Sequence, residues 1–280
     1  MGWNEWPLII FTVLAQSGVG AFLLSVCAIF FVQRDAVTKL RLERSMLLIW
    51  IVMGLAFLTV AIHLGSPFRA MNSLFRFGQA SLSNEVVFGS AFIGCGGLAW
   101  LLSLKDAAPA ARKALYVLAV VLSFAFIWNM VGFYLMATVP TWNTPLTPLT
   151  FMVTAGVGGA MLANVVFGVA GISSPKSNRM IGCIAAAAVM GGILVTFGLL
   201  AKLPHIQSSA HQASALVPDI GGLQGLRFVL LVLAVILTFR FASGRTVPLP
   251  VAIASLALVL AGELIGRGVF FALHMTVGLV

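Results

Sequence analysis

From Pro7 to Val32 the chain runs for 26 residues without an acidic or basic side chain. A helix needs about 20 mostly apolar residues to cross the hydrocarbon core of a bilayer, and stretches of this kind recur along the whole sequence. Charged or proline-rich breaks divide it into eight segments: Pro7–Val32, Ser45–Leu64, Glu85–Leu104, Ala114–Met136, Leu149–Gly171, Met180–Ala201, Gly225–Phe239 and Val247–Phe271. The seventh is the shortest. None alternates polar and apolar residues at period two, the mark of a lipid-facing barrel strand. Only 8% of the residues are charged, whereas a soluble domain carries about 25%. That excludes a water-soluble globule, and a disordered chain as well, since disorder needs polarity and charge. The expected fold class is an all-α integral membrane protein with eight transmembrane helices.

The eight spans use most of residues 1–280 and leave no room for a soluble domain, so a single polytopic membrane domain is expected. A four-plus-four helix arrangement suits the count. The first span is too long for a signal-peptide core and has no basic residue before it, so it reads as a retained helix led in by Trp3 and Trp6 at the membrane interface. An even number of spans puts both termini on one side. The opposite loops hold Arg34, Lys39, Arg41, Arg44, Lys105, Arg112, Lys113, Lys176, Arg179, Arg240 and Arg245, which is 11 of the 16 basic residues. The terminal side holds Arg69, Arg76, Lys202 and Arg227, with Arg267 inside the last span. Positive charge marks cytoplasmic loops, so both termini are expected in the periplasm. The net charge of +9 is then topological, and nucleic acid drops out as a partner.

The cytoplasmic connections are short, basic and otherwise ordinary. The outer ones are longer and more varied, which points to that face as the docking side. Gly65–Asn84 reads as a short interfacial helix or a solvated turn, with Arg69 and Arg76 on one face. Thr138–Pro148 carries Trp142 and three prolines, and is expected to be a rigid loop near lipid or a partner. Lys202–Gln224 adds His205, His211 and Asp219. Two small-xxx-small spacings, Gly262 to Gly266 and Ser90 to Gly94, are expected to pack tightly inside the bundle.

An ionisable group at mid-membrane costs about 2.5–3.5 kcal/mol on insertion scales, so each one asks for a reason. His63, Glu85, Glu263 and Arg267 lie in or at the ends of spans toward the outer side. His63 ends the second span and Glu85 opens the third. Glu85 reads either as a first-turn carboxylate at a helix capped by Ser83 or Asn84, or as half of a proton-handling pair with His63. Glu263 and Arg267 stand at i,i+4 in the favourable order. In lipid they read first as mutual neutralisation, with His274 extending a polar stripe beyond them. The cysteines, Cys27, Cys95 and Cys183, sit in separate spans without a C-x-x-C spacing, so no iron–sulfur cluster is expected in this chain. No span carries a mid-membrane histidine, so haem is not expected either. No metal site is expected.

The segments WNEWPLIIFTVLAQSGVGAF, HLGSPFRAMNSLFRFGQASLSNEV, TVPTWNTPLTP, HQASALVPD and AGELIGRGVFFALHMTVG make the chain resemble the membrane-anchor subunits of dimethyl-sulfoxide reductases, from end to end. That family is itself distantly similar to the membrane subunits of polysulfide reductases. The resemblance implies a bacterial inner-membrane protein of anaerobic respiration, the anchor of a heterotrimer. Its partners would be a molybdopterin catalytic subunit and a subunit with four [4Fe–4S] clusters, placed by the loop asymmetry on the periplasmic face. Menaquinol would be the bound substrate, oxidised at the anchor with electrons passed to the iron–sulfur subunit. The His of HLGSP and the Glu of SNE are the family's quinol-site residues, which assigns those roles to His63 and Glu85. Arg69 and Arg76 would hold the quinol or dock the partner. Glu263 and Arg267 are further candidates for the quinol site. Two alternatives remain: the anchor of a related oxyanion or N-oxide reductase, and a secondary transporter lined by Glu263 and Arg267.

Overall fold

The computed structural model describes residues 2–33, 35–63, 78, 81–208, 212–242 and 246–276. Nine helices dominate them: α1 (Trp6–Cys27), α2 (Ala36–Ser45), α3 (Leu47–His63), α4 (Ser81–Leu104), α5 (Pro109–Tyr134), α6 (Leu146–Val169), α7 (Pro175–Lys202), α8 (Ile220–Ala242) and α9 (Leu249–Ala272). Among the described residues eight helical stretches are long and apolar enough to cross a membrane, the short α2 running into α3 as one of them. The all-helical, eight-span expectation holds at that level. The seventh expected span, Gly225–Phe239, lies inside the longer α8, because the helix runs on through Gln224 at one end and Arg240 at the other, polar residues that end the apolar count but not the helix.

Local sequence sets the helix ends. Prolines lead the first turns of α5, α7 and α9, where a missing N–H costs no intrahelical bond. Ser174 and Ser177 cap α7 reciprocally. Asp35 caps α2 by accepting from the Thr38 hydroxyl at 2.7 Å and the Thr38 amide at 2.8 Å, and these bonds hold its carboxyl below the ordinary carboxylate range. Helix α1 ends in a widened turn over Ala28–Val32, where the Gln33 amide donates five residues back to the Ala28 carbonyl at 2.8 Å.

Helices α1 and α6 form the centre. Helix α1 packs on α6, α3 and α9, and α6 packs also on α7 and α9; α4 lies against α5, α7 against α8, and α8 against α9. Both central helices are buried over most of their surface, whereas the others bury one face and turn Leu, Val and Phe outward. Helices α1 and α6 touch through their backbones. A Cβ on Gly20 would collide with the Ala155 carbonyl, and one on Gly159 with the backbone of Gly20. Without a hydrophobic drive between helices in lipid, such close approach is a main source of packing energy.

The two small-xxx-small spacings separate in the structure. Gly262 and Gly266 face α8, as expected. Ser90 and Gly94 point outward, because the inward face of α4 runs through Glu85, Gly89, Phe92, Gly96, Ala99 and Ser103. The spacing alone carries no information about which helix face is buried.

The basic connections are less ordinary than expected. Arg112, 8% exposed, bridges Glu43 on α2 at 3.2 Å and Asp106 in the α4–α5 turn at 3.0 Å. That turn holds two non-glycine residues in the left-handed region, Asp106 at φ 48° and Ala108 at φ 46°. Each costs about 1–3 kcal/mol and persists only where the surroundings fix it. The ion bridges to Arg112 and the start of α5 at Pro109 supply that fixing.

Candidate functional site

Helix α4 begins at Ser81, four residues before Glu85, so no acidic residue stands in its first turn. Ser83 and Asn84 are therefore inside the helix rather than capping it, and Asn84 accepts instead from the Gly78 amide at 2.7 Å. The helix-dipole reading of Glu85 falls with that. Glu85 is 5% exposed and opens on a cavity of about 200 Å³. Leu8 and Phe11 of α1, Phe57 and Val60 of α3, and Phe126 and Phe133 of α5 supply apolar walls, and Tyr134 closes the end. Gly89, one turn after Glu85, leaves the room that the Phe57 and Phe126 rings fill. Among the described residues neither the Glu85 carboxylate nor the Tyr134 hydroxyl has a hydrogen-bond partner. A buried polar group without a partner is costly, and here both line the same hollow.

His63 is the last residue of α3 and follows Val60, a cavity wall, by three positions. Its side chain, and all of Arg69 and Arg76, lie outside the described residues. His211 does too.

The second ionic group is built differently. Glu263 on α9 accepts from Arg227 of α8, with Nη2 at 2.9 Å and Nε at 3.2 Å on the same carboxylate oxygen. The Thr154 hydroxyl of α6 donates to its other oxygen in a short bond. Arg267 does not take Glu263 as its direct partner. It donates to Gln16 of α1 at 2.8 Å and to Thr154 at 3.1 Å, with its guanidinium 4.0 Å from the Phe151 ring. The expected i,i+4 pair is thus replaced by a cross-helix ion pair. Gly262 and Gly266 explain why: a Cβ at Gly266 would come within 2.6 Å of the Arg227 side chain, which therefore reaches the carboxylate first. All the charged members are at most 5% exposed. A cavity of about 30 Å³ lies among them, enough for about one water, and Arg267 Nη1 has no hydrogen-bond partner among the described residues.

Aromatic rings join the two groups. Tyr134 lies 5.4 Å from Phe151 and 5.5 Å from Phe270, centroid to centroid, and both rings sit under the Arg267 guanidinium. Trp142 stacks on Phe270 at 5.2 Å and 10°, and its indole N–H donates to the Phe270 carbonyl at 2.8 Å. The loop expected near lipid or a partner folds inward at Trp142, which is 7% exposed. His274 does not prolong a stripe on α9, because the helix ends at Ala272; its ring sits against Trp142 at 4.8 Å.

Sequence reasoning passed over Tyr134, Gln16, Thr154 and Arg227. Arg227 was legible by the criterion that singled out Glu263, since it falls inside the expected span Gly225–Phe239. The others are uncharged and ordinary in composition. Among the described residues no three His, Cys, Asp or Glu side chains are grouped to hold a metal.

Known proteins resemble this one along their whole length. The sequence is 41% identical over 281 aligned positions to the C subunit of anaerobic dimethyl sulfoxide reductase from Escherichia coli strain K12, covering 99% of the present protein and 98% of the relative. It is also 41% identical to the YnfH subunit of an anaerobic dimethyl sulfoxide reductase from the same organism, again over 99% and 98%. The C subunit of the Haemophilus influenzae enzyme is 31% identical with the same coverage. The family model described as DMSO reductase anchor subunit (DmsC) matches residues 1–273. By these matches and its eight apolar helices, the protein belongs to the DMSO reductase anchor subunit family, multi-pass in the membrane and part of anaerobic respiration.

Proposed function

We propose that the cavity beside Glu85 is a menaquinol-oxidation site, and that the chain passes the electrons to an iron–sulfur partner of a dimethyl-sulfoxide-reductase-type complex. The observation that carries this reading is a buried carboxylate, without a protein partner among the described residues, opening on an aromatic-walled hollow. Drug-sized ligands occupy pockets of about 300–1,000 Å³. A volume near 200 Å³ therefore suits a fused quinol ring whose prenyl chain runs out between helices. Phe11, Phe57, Phe126 and Phe133 offer ring faces and exclude water. Glu85 and Tyr134 offer the polar side chains of the lining.

Oxidation of the quinol releases two electrons and two protons. Glu85 accepts a hydrogen bond from one hydroxyl and takes its proton. Neutral His63, at the end of α3, accepts from the other. Tyr134 orients the ring through its own hydroxyl, and Arg69 and Arg76 hold the headgroup or dock the iron–sulfur subunit. Residues 1–280 form one membrane domain of two four-helix bundles, α1 to α5 and α6 to α9, joined at α1 and α6. Both termini and the soluble partners, a four-cluster iron–sulfur subunit and a molybdopterin catalytic subunit, lie on the periplasmic side of the inner membrane. Glu263 and Arg267 hold the helices around the site rather than touch the quinol.

The test uses the assembled complex. Glu85→Gln should lower quinol-driven reduction of dimethyl sulfoxide about 100-fold while dye-driven reduction and assembly persist. His63→Ala should behave alike. Quinol-driven rates unchanged in both variants would overturn the assignment.

A further inference from the structure

We propose that a second cavity, at the end of the bundle opposite the Glu85 site, binds the headgroup of an anionic phospholipid. It measures about 660 Å³, within the range of about 300–1,000 Å³ that small-molecule sites occupy. Its walls come from the close of α1, from α2 and from the start of α5. No part of the quinol reading depends on it.

Backbone and side chains are both unusual around this cavity. Helix α1 does not simply stop there. It widens into the turn over Ala28–Val32, a form of helix that gathers at functional sites. The widening delivers Phe30 and Phe31 to one wall, with Phe31 left 82% exposed. The left-handed residues Asp106 and Ala108 turn the chain directly into Pro109 and Arg112 on the facing wall. Arg112 is 8% and Glu43 6% exposed, both line the hollow, and Arg112 Nε and Glu43 Oε2 make no hydrogen bond although they stand 3.2 Å apart as ions. Strain and buried charge are concentrated where nothing among the described residues fills the space.

The occupant follows from charge and shape. The lining carries three basic groups, Lys39, Arg112 and Lys113, against two acidic ones, Glu43 and Asp106. Arg112 is committed to both acids. Lys39 and Lys113 have no protein acceptor among the described residues. Two lysines at the mouth of a cavity with a net positive lining suit a phosphodiester, and basic pockets between membrane helices take such headgroups. The apolar part of the lining includes Phe31, 82% exposed, and Val117, 49% exposed, an outward-facing surface on which acyl chains can lie. A quinol needs no pair of lysines, and a soluble anion needs no apolar surface.

The experiment takes the full chain, purified in mild detergent. Phosphatidylglycerol or phosphatidylethanolamine is added, and bound lipid is counted by native mass spectrometry. The wild type should retain one phosphatidylglycerol in preference to phosphatidylethanolamine. The double variant Lys39→Gln/Lys113→Gln should lose about 30-fold in affinity, from about fivefold for each lysine near a lipid phosphate. Lys113 is exposed and Lys39 half-buried, with neither in the core, so folding survives, and far-UV circular dichroism checks it. Lys105→Gln, exposed in the neighbouring turn but outside the lining, should bind as the wild type does. Equal retention of the two lipids, an equal loss in Lys105→Gln, or displacement by a soluble naphthoquinone would each overturn the proposal.

Discussion

Glu85 and Glu263 are carboxylates of nearly equal burial, 5% and 1% exposed, on helices of the same kind, and their surroundings are opposite. Glu263 is saturated: one oxygen takes two N–H groups of Arg227, and the other takes the Thr154 hydroxyl. Glu85 meets an aromatic hollow and no donor among the described residues. Isolated charge in an apolar medium is expensive. A chain that satisfies one buried carboxylate so fully and leaves the other open has reserved the second for something it does not itself supply. Burial marks both residues as unusual. The bonding of each separates brace from site.

Five substitutions put that contrast at risk. The largest effect is expected from Glu263→Leu, which leaves Arg227 and Arg267 buried without an anion; breaking such a pair costs about 3–5 kcal/mol, read as lower unfolding temperature in detergent. Glu85→Leu should be neutral or stabilising in the same assay, because it removes an unpartnered group. If it destabilises as Glu263→Leu does, the contrast is broken. Glu85→Gln should lower quinol-driven turnover about 100-fold, within the range for loss of a proton-transferring group, and leave dye-driven turnover alone. Next comes Gln16→Leu, which strips a charge-assisted bond from Arg267 and should cost about 1.5–3 kcal/mol of stability with no change in the KM for quinol. The smallest is Tyr134→Phe. Its lost hydroxyl is worth about 1 kcal/mol, seen as a severalfold rise in KM for quinol, and an effect on dye-driven turnover instead would detach Tyr134 from the cavity.

Much of this was legible from residue order alone. Eight apolar stretches announce eight helices because hydrocarbon leaves the backbone no alternative to internal hydrogen bonding. Glu85, Glu263 and Arg267 stood out because charge is scarce in such stretches. Pairing was not legible. Glu263 and Arg267 have ideal spacing along one helix, but Arg227 arrives across the gap that Gly262 and Gly266 leave, and helix-to-helix approach is written in no local pattern. The cap reading of Glu85 failed because α4 starts at Ser81, a boundary that Ser83 and Asn84 disguise. Trp142 carries the composition of an interface anchor, and is drawn inward by the Phe270 ring and carbonyl, which lie over a hundred positions further along.

The Gln16–Arg267 bond spans 251 positions of sequence. A ribosome threading this chain into the membrane delivers α1 first and α9 last. Until α6 is made, α1 waits with the Gly20 groove unfilled. Although Met130 of α5 takes the Gln16 amide N–H, the Gln16 oxygen waits for Arg267 through almost the whole of synthesis. One of the two most enclosed helices of the finished protein is thus the one that waits longest for its last partner. Chains that stop short of α9 carry a polar scar on α1, which makes incomplete molecules chemically distinct from complete ones before any partner subunit arrives.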